Sequence, residues 1–286
     1  MKVLVTGATG FIGGYVIENL LGRSCEVIAT SSNSDLAKTK SWFGKVNYIP
    51  FDLKTVNSHE DYFAFFDKPE ILIHLAWEGL PRYKEHFHID NNLPRHLMFV
   101  ENMVKNGLPG VTITGTCLEY GMQTGELSET MPAEPTVAYA IAKDELRRKL
   151  EVFIKSHPVT FHWIRLFYLY GKGQNPNSLF AQLQNAIESG ATVFNMSKGD
   201  QVRDFLPVEK AALSIVDIAL QNNIQGIVNC CSGKPVSVKE FVGSFLKSNN
   251  IKMALNLGFY GYSDYEPHEF WGSTKKLSQI TSKHHC

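Results

Sequence analysis

The chain has 286 residues, 44% hydrophobic and 20% charged, the composition of a globular protein of one or two domains. Its 28 basic residues balance 28 acidic ones, which leaves no overall electrostatic footprint for nucleic acid or an anionic membrane. No apolar run approaches the roughly eighteen residues of a membrane span.

Lys2–Thr6 (KVLVT) predicts a buried strand, followed by a glycine turn and a helix to about Leu21. Residues 26–30, 47–51 and 71–76 follow as further strands. Residues 89–106 have helical spacing, with Leu93, Met98, Val100 and Met103 as the buried positions. Residues 110–114 form a fifth strand, 139–154 a helix and 160–168 a sixth strand. Short, nearly continuous apolar strands separated by helices predict an α/β, Rossmann-like doubly wound parallel sheet covered on both faces.

After Gly171 the texture changes. Residues 172–178 (KGQNPNS) are a loop of turn formers. A helix over 179–189, a short strand over 191–195, a helix over 207–221 opening at Pro207, a strand over 226–231 and a helix over 238–248 follow. Met1 leads into a strand without the cationic and apolar segments of a secretory leader. The five cysteines, Cys25, Cys117, Cys230, Cys231 and Cys286, are odd in number and lack metal-ligand spacing. Reduced thiols in a cytoplasmic protein are expected. His284, His285 and Cys286 read as a loose tail.

Gly7, Gly10 and Gly13 stand directly after the first strand and open a helix, with Thr9, Phe11 and Ile12 between them. Gly7 permits a tight turn, Gly10 a close approach of the backbone to a pyrophosphate, and Gly13 close helix–strand packing, while the helix N-terminus offers unpaired N–H groups. A dinucleotide cofactor is therefore expected. An acidic residue after the second strand would mark NAD. Here Ser31, Ser32 and Asn33 stand there, with Lys38 and Lys40 nearby, which favours NADP(H) over NAD. Asp52 either accepts a bond from the adenine amino group or caps the next helix. Residues 1–171 form the expected dinucleotide-binding domain, to which about 205–235 return. Residues 172–204 and 236–286 form a smaller substrate-binding region.

Tyr139 and Lys143 stand at i and i+4, on one face of a helix. Thr116 lies just past the fifth strand, whose carboxyl end faces the ligand crevice of a parallel sheet. A hydroxyl, a Tyr–Lys helix and an N-terminal glycine turn make one consistent site.

On these residues the chain resembles the extended short-chain dehydrogenase/reductase family over almost its whole length. Asp52-Leu53 and His74-Leu75-Ala76 match family motifs, Asn92 sits where a helix asparagine organises the proton relay, and residues 165–171 (RLFYLYG), with Tyr168, resemble the segment flanking the nicotinamide. Arg203-Asp204-Phe205 resembles the stretch whose arginine clamps a diphosphate, and residues 232–237 (SGKPVS) resemble a late turn. The resemblance implies that Tyr139 is the general acid, that Lys143 lowers its pKa and holds the nicotinamide ribose, and that Thr116 hydrogen-bonds the substrate oxygen. It also implies a homodimer built on the helices over 89–106 and 139–154.

The family's members mostly modify nucleotide-linked sugars. Its 4,6-dehydratases carry Asp-Glu after the catalytic threonine, whereas Cys117-Leu118 follow Thr116 here. Cys117 reads as a packed residue. The segments 74–79 (HLAWEG) and 269–272 (EFWG) look like those of 4-keto-6-deoxyhexose reductases. The expectation is NADPH-dependent reduction of a dTDP- or CDP-linked 4-keto-6-deoxyhexose, the alternative an NAD-dependent 4-epimerase, and the remaining class a non-catalytic dinucleotide sensor. Trp77, Arg82, Tyr83 and Lys84 are candidate sugar-pocket residues, with simple packing the other reading of Trp77, and Asn177 and Arg203 are candidates for the diphosphate end. His86, His88 and His162 read as ordinary histidines, and no metal is expected.

Overall fold

The computed structural model describes residues 1–281, so His284, His285 and Cys286 lie outside the described residues. Seven strands form the central sheet: β1 (Lys2–Thr6), β2 (Glu26–Thr30), β3 (Asn47–Tyr48), β4 (Ile71–His74), β5 (Gly110–Thr116), β6 (Thr160–Leu166) and β7 (Gly226–Cys230). All pair in parallel, in the order β7-β6-β5-β4-β1-β2-β3. The direction of winding reverses between β1 and β4, and ligands of such sheets bind in the crevice beyond the carboxyl ends there.

Six helices have ten residues or more among the described residues: α1 (Gly13–Gly22), α2 (Leu93–Lys105), α3 (Ala138–Phe153), α4 (Leu179–Glu188), α5 (Val208–Ala219) and α6 (Val238–Ser248). Side chains of a strand alternate between faces, and β1 shows the consequence. Val3 and Val5 join Val16, Ile17, Ile215 and Val216 of α1 and α5 in one core layer. Leu4 joins Phe99, Met103, Leu146 and Leu150 of α2 and α3 in the other. Among the described residues no helix is long and apolar enough to cross a membrane.

A smaller core of Leu183, Phe194, Met196, Val242 and Leu246 holds α4 to α6. Three short strands, Tyr168–Tyr170, Val202–Pro207 and Pro235–Ser237, form a second sheet beside it. Buried Asp204 ties this region together by accepting from the backbone N–H groups of Ser232 (2.7 Å), Gly233 (2.8 Å) and Gly272 (3.2 Å).

Several boundaries move from their expected places. The strand expected over 160–168 ends at Leu166, and Tyr168 belongs to the second sheet. Pro207 precedes α5 as its cap instead of starting it. Met98 is exposed, not buried. It stands five residues after Leu93, about 140° around the helix, and His96 and Phe99 fill the inward positions instead. The last described helix, Lys275–Thr281, packs Leu277 and Ile280 into the core against the central sheet.

Candidate active site

The glycine turn has the shape a diphosphate needs. Gly7 has φ +68°, and a Cβ there would lie 2.8 Å from the Ala76 nitrogen, so the turn rests directly on the Leu75-Ala76 backbone. At Gly13 a Cβ would run into the carbonyl oxygens of Gly7 and Ala8, which is the close helix–strand packing expected there. Gly10 differs: it is exposed, and the nearest atom to its added Cβ is the Gly7 oxygen at 3.1 Å. No side chain caps the N-terminus of α1, and its first turn carries no acidic residue. Thr9, Gly10, Phe11, Tyr15, Lys40 and Lys172 line one cleft. These residues fit a dinucleotide's pyrophosphate, held by the free amides and partial positive charge of the helix end.

The turn after β2 is less cationic than its sequence suggests. The Ser31 hydroxyl lies 3.0 Å from the Tyr48 hydroxyl. Asn33 Oδ1 accepts from Leu36 N at 2.9 Å and caps a short helix. Lys38 Nζ donates to Asp35 at 3.1 Å, so its charge is paired with a carboxylate of its own turn. Ser32 is exposed. Asp52 accepts from Lys54 N at 2.9 Å and caps the turn of Leu53–Thr55.

Thr116 ends β5 and caps the turn that follows. Its Oγ1 accepts from Leu118 N at 3.2 Å, and Glu119 returns to accept from Thr116 N at 2.8 Å, a capping box. Glu119 is fully buried and also accepts from Arg165 at 2.8 Å and from the Trp163 indole at 3.0 Å. Tyr139 and Lys143 point toward this turn from α3. Lys143 Nζ donates to the Thr114 carbonyl at 2.7 Å, and it is 1% exposed. Tyr139 is buried between Trp77, at 5.9 Å between ring centroids, and Tyr83, at 5.6 Å. Its backbone N–H donates to the Tyr83 carbonyl at 3.0 Å.

Against the lowering expected from Lys143, burial pushes the Tyr139 phenol above its ordinary value, Tyr83, Glu119 and Cys117 add to this, and it is a hydrogen bond with Thr116 that opposes it. The phenol is therefore a proton donor at neutral pH. Burial lowers Lys143 to about 7, against the raising effect of Glu119. Both groups of the buried pair are moved from their ordinary values by burial, the electrostatic pattern that marks a candidate functional site.

The remaining candidates are spread. Asn92 is buried, and its amide donates to the Glu78 carbonyl at 3.1 Å and lies 3.4 Å from His88 Nδ1. Arg203 is buried with its fork occupied. Nη2 donates to Glu266 at 3.0 Å, and Nη1 donates to the carbonyls of Val202 and His268. Tyr168 lies beneath it, 5.6 Å from the guanidinium carbon to the ring centroid. Cys117 is buried among Tyr120, Phe167 and Phe270, a packed residue. Arg82 and Asn177 are on exposed loops.

The structure also gathers residues that sequence reasoning passed over. His88, read as ordinary, is fully buried beside Trp77 and Tyr139. His74 and His96 form a buried pair, Nε2 to Nδ1, at 2.7 Å. Tyr265 and Glu266 join Tyr83, a candidate from the sequence, beside Tyr139. A lone histidine carries no sequence signal of such a role. The one available hint was the spacing of His88 and Asn92, which share a face of the helix that follows the Trp77 loop.

Residues 3–231 match the NAD dependent epimerase/dehydratase family. The chain is 29% identical over 279 residues to the dTDP-6-deoxy-L-talose 4-dehydrogenase (NAD(+)) of Aggregatibacter actinomycetemcomitans, covering 96% of this chain and 100% of that protein. It is 26% identical to a UDP-glucose 4-epimerase of Neisseria meningitidis serogroup B, covering 98% and 94%. Among solved structures, MoeE5 in complex with UDP-glucuronic acid and NAD superposes with a TM-score of 0.82 at 22% identity, covering 99% and 93%. The UDP-glucose 4-epimerase of Thermotoga maritima superposes with 0.83 at 20% identity, covering 98% and 92%. The chain belongs to the NAD dependent epimerase/dehydratase family.

Proposed function

We propose that this protein is a nucleotide-sugar oxidoreductase that interconverts the C4 ketone and C4 alcohol of a nucleotide-linked 6-deoxyhexose. The observation that carries the reading is the meeting of Thr116, Tyr139 and Lys143 at the carboxyl end of β5, on the same edge of the parallel sheet as the glycine turn after β1. When bound, a nicotinamide dinucleotide supplies or accepts the hydride. In the reducing direction Tyr139 Oη gives its proton to the carbonyl oxygen as hydride reaches the carbon, and the Thr116 hydroxyl hydrogen-bonds that oxygen. Lys143 stabilises the phenolate that results. The burial of all three side chains keeps water from the reacting centre.

Two relatives support the sugar class: the dTDP-6-deoxy-L-talose 4-dehydrogenase and a GDP-6-deoxy-D-talose 4-dehydrogenase, 26% identical over 83% of this chain. NAD(H) is the proposed cofactor, in place of the NADP(H) favoured by the Ser31–Asn33 segment alone. The capping role of Asn33 and the Lys38–Asp35 contact support this choice, as does the cofactor in the name of the 29% identical relative. A dTDP carrier is part of the proposal, supported by the name of the same relative. The homodimer implied by resemblance would cover Met98 on α2 and Val152 on α3, which are 39% and 67% exposed.

A 4-epimerase is the second reading, favoured by the epimerases among the relatives. The two are separated by mixing purified enzyme with NADH or NADPH and a panel of dTDP-, CDP- and UDP-linked 4-keto-6-deoxyhexoses. The proposal expects stoichiometric NADH consumption and a C4 alcohol by NMR. Inversion of a C4 alcohol, with dinucleotide retained on the enzyme and none consumed, would replace it with the epimerase.

A further inference from the structure

The chemistry above uses Tyr139 and Lys143 but leaves unexplained the indole and imidazoles packed behind them. Trp77 lies with its ring centroid 4.1 Å from Lys143 Nζ. Its Nε1–H donates to His88 Nδ1 at 3.0 Å. That bond makes Nε2 the protonated nitrogen of His88, and Nε2 donates to the Arg82 carbonyl at 3.0 Å. His96 stacks on the same indole, with centroids 4.5 Å apart and planes at 24°. His96 is fixed in turn by His74 at 2.7 Å, and His74 by the Thr6 hydroxyl at 2.8 Å. His88 stands in a single π-helical turn, His88–Asn92, ahead of α2, a local irregularity frequent at functional sites. The indole is thus clamped at its N–H and on its face.

Lys143 needs such a neighbour. Among the described residues its direct hydrogen-bond partner is a neutral carbonyl, that of Thr114. Glu119, from the turn after β5, is the charge that favours the ammonium. His74 of β4, His88 of the π turn and His96 of α2 face it as neutral imidazoles, since burial lowers all three. Tyr139, one turn back on α3, is a neutral phenol. An indole face is electron-rich and attracts a cation most strongly where water is excluded.

We propose that Trp77, held in place by His88, is a positioning residue that keeps Lys143 protonated in its dry site. The inference rests on the proposed Tyr–Lys chemistry for its consequence but not for its test. It gives Trp77 a different role from a platform for the sugar ring.

The test is a titration of the full-length enzyme with lysine labelled at the ε-carbon, the Lys143 resonance being identified by its loss in Lys143→Met. The wild-type midpoint is expected near 7. Trp77→Leu should lower it by about one pH unit, and Trp77→Phe, which keeps an aromatic face, by clearly less. His88→Leu should lower it in the same direction. His88→Asn, whose carbonyl can still accept from the indole, should hold it. In NADH-dependent turnover, the alkaline limb of kcat should move with the midpoint while KM for the sugar nucleotide stays put. A Lys143 midpoint unmoved in both Trp77→Leu and His88→Leu overturns the proposal, as does a rise in KM with that midpoint unchanged, the signature of a sugar platform. A moved midpoint with unaltered turnover upholds the Trp77–Lys143 coupling and instead refutes the chemistry assigned to the Tyr–Lys pair.

Discussion

Arg203 and Glu266 form an ion pair at 3.0 Å that is almost closed to solvent, with side-chain exposures of 3% and 13%. The guanidinium carbon also lies 4.8 Å from the Phe270 ring centroid. Arg203 therefore reaches the site already engaged by an acid of its own chain. Its assignment to a substrate diphosphate requires Glu266 to yield part of the fork.

Two substitutions separate the roles of this pair. Arg203→Leu strands a buried carboxylate and should destabilise the fold by about 3–5 kcal/mol, read as a fall in the denaturation midpoint. Glu266→Gln leaves the buried guanidinium without its counter-charge and should destabilise as well, but it keeps a hydrogen-bond acceptor, and the Val202 and His268 carbonyls still hold the fork, so its cost should be the smaller. Because it frees the guanidinium's charge, it should also lower KM for the sugar nucleotide. A KM that stays the same or rises would assign Arg203 to supporting the floor of the site.

The glycine turn makes a second contrast. Gly13→Ala drives a methyl group into two backbone oxygens, and Gly10→Ala meets one at 3.1 Å. Gly13→Ala should cost about 1–3 kcal/mol of stability. Gly10→Ala should stay within about 0.5 kcal/mol of the wild type, yet weaken NAD binding by about tenfold or more, since a methyl group then stands where a pyrophosphate must approach. Thermal unfolding and calorimetric titration with NAD read the two effects separately.

Lys143 makes stability depend on pH in a defined sense. Its folded pKa of about 7 lies below its ordinary 10.5, so between those values unfolding takes up a proton. Stability contributed through Lys143 then rises with pH across that window, by up to about 1.4 kcal/mol per pH unit. Below pH 7 both states carry the charge and the burial penalty is fully felt. Urea denaturation at pH 7 to 9.5 should show the wild type gaining stability relative to Lys143→Met, and parallel curves would contradict the assignment.

The sheet was largely legible from sequence because each central strand is a short apolar run bounded by turn formers, and the glycine turn, Thr116, Tyr139 and Lys143 stand at fixed places relative to those strands. What escaped has a physical cause in each case. The strand pair Gly125–Leu127 and Phe270–Gly272 is three residues long on each side, too short to show alternation, and its partners lie far apart in sequence. The NADP(H) preference came from the composition of residues 31–40, whereas side-chain geometry spends Asn33 on a cap and sets Lys38 against Asp35. His88 and His96 were invisible as site residues because their importance comes from stacking on Trp77, a tertiary relationship with no spacing rule.

The most direct test of the central claim follows a label. Enzyme is incubated with NADH deuterated at the transferring position and a dTDP-linked 4-keto-6-deoxyhexose, and the product is examined by NMR and mass spectrometry. The account predicts deuterium at C4 of the sugar in one-to-one ratio with NADH consumed, and a rate lowered by about 10²–10⁴ in Tyr139→Phe. Sugar product free of deuterium, or Tyr139→Phe turning over at the wild-type rate, would contradict it.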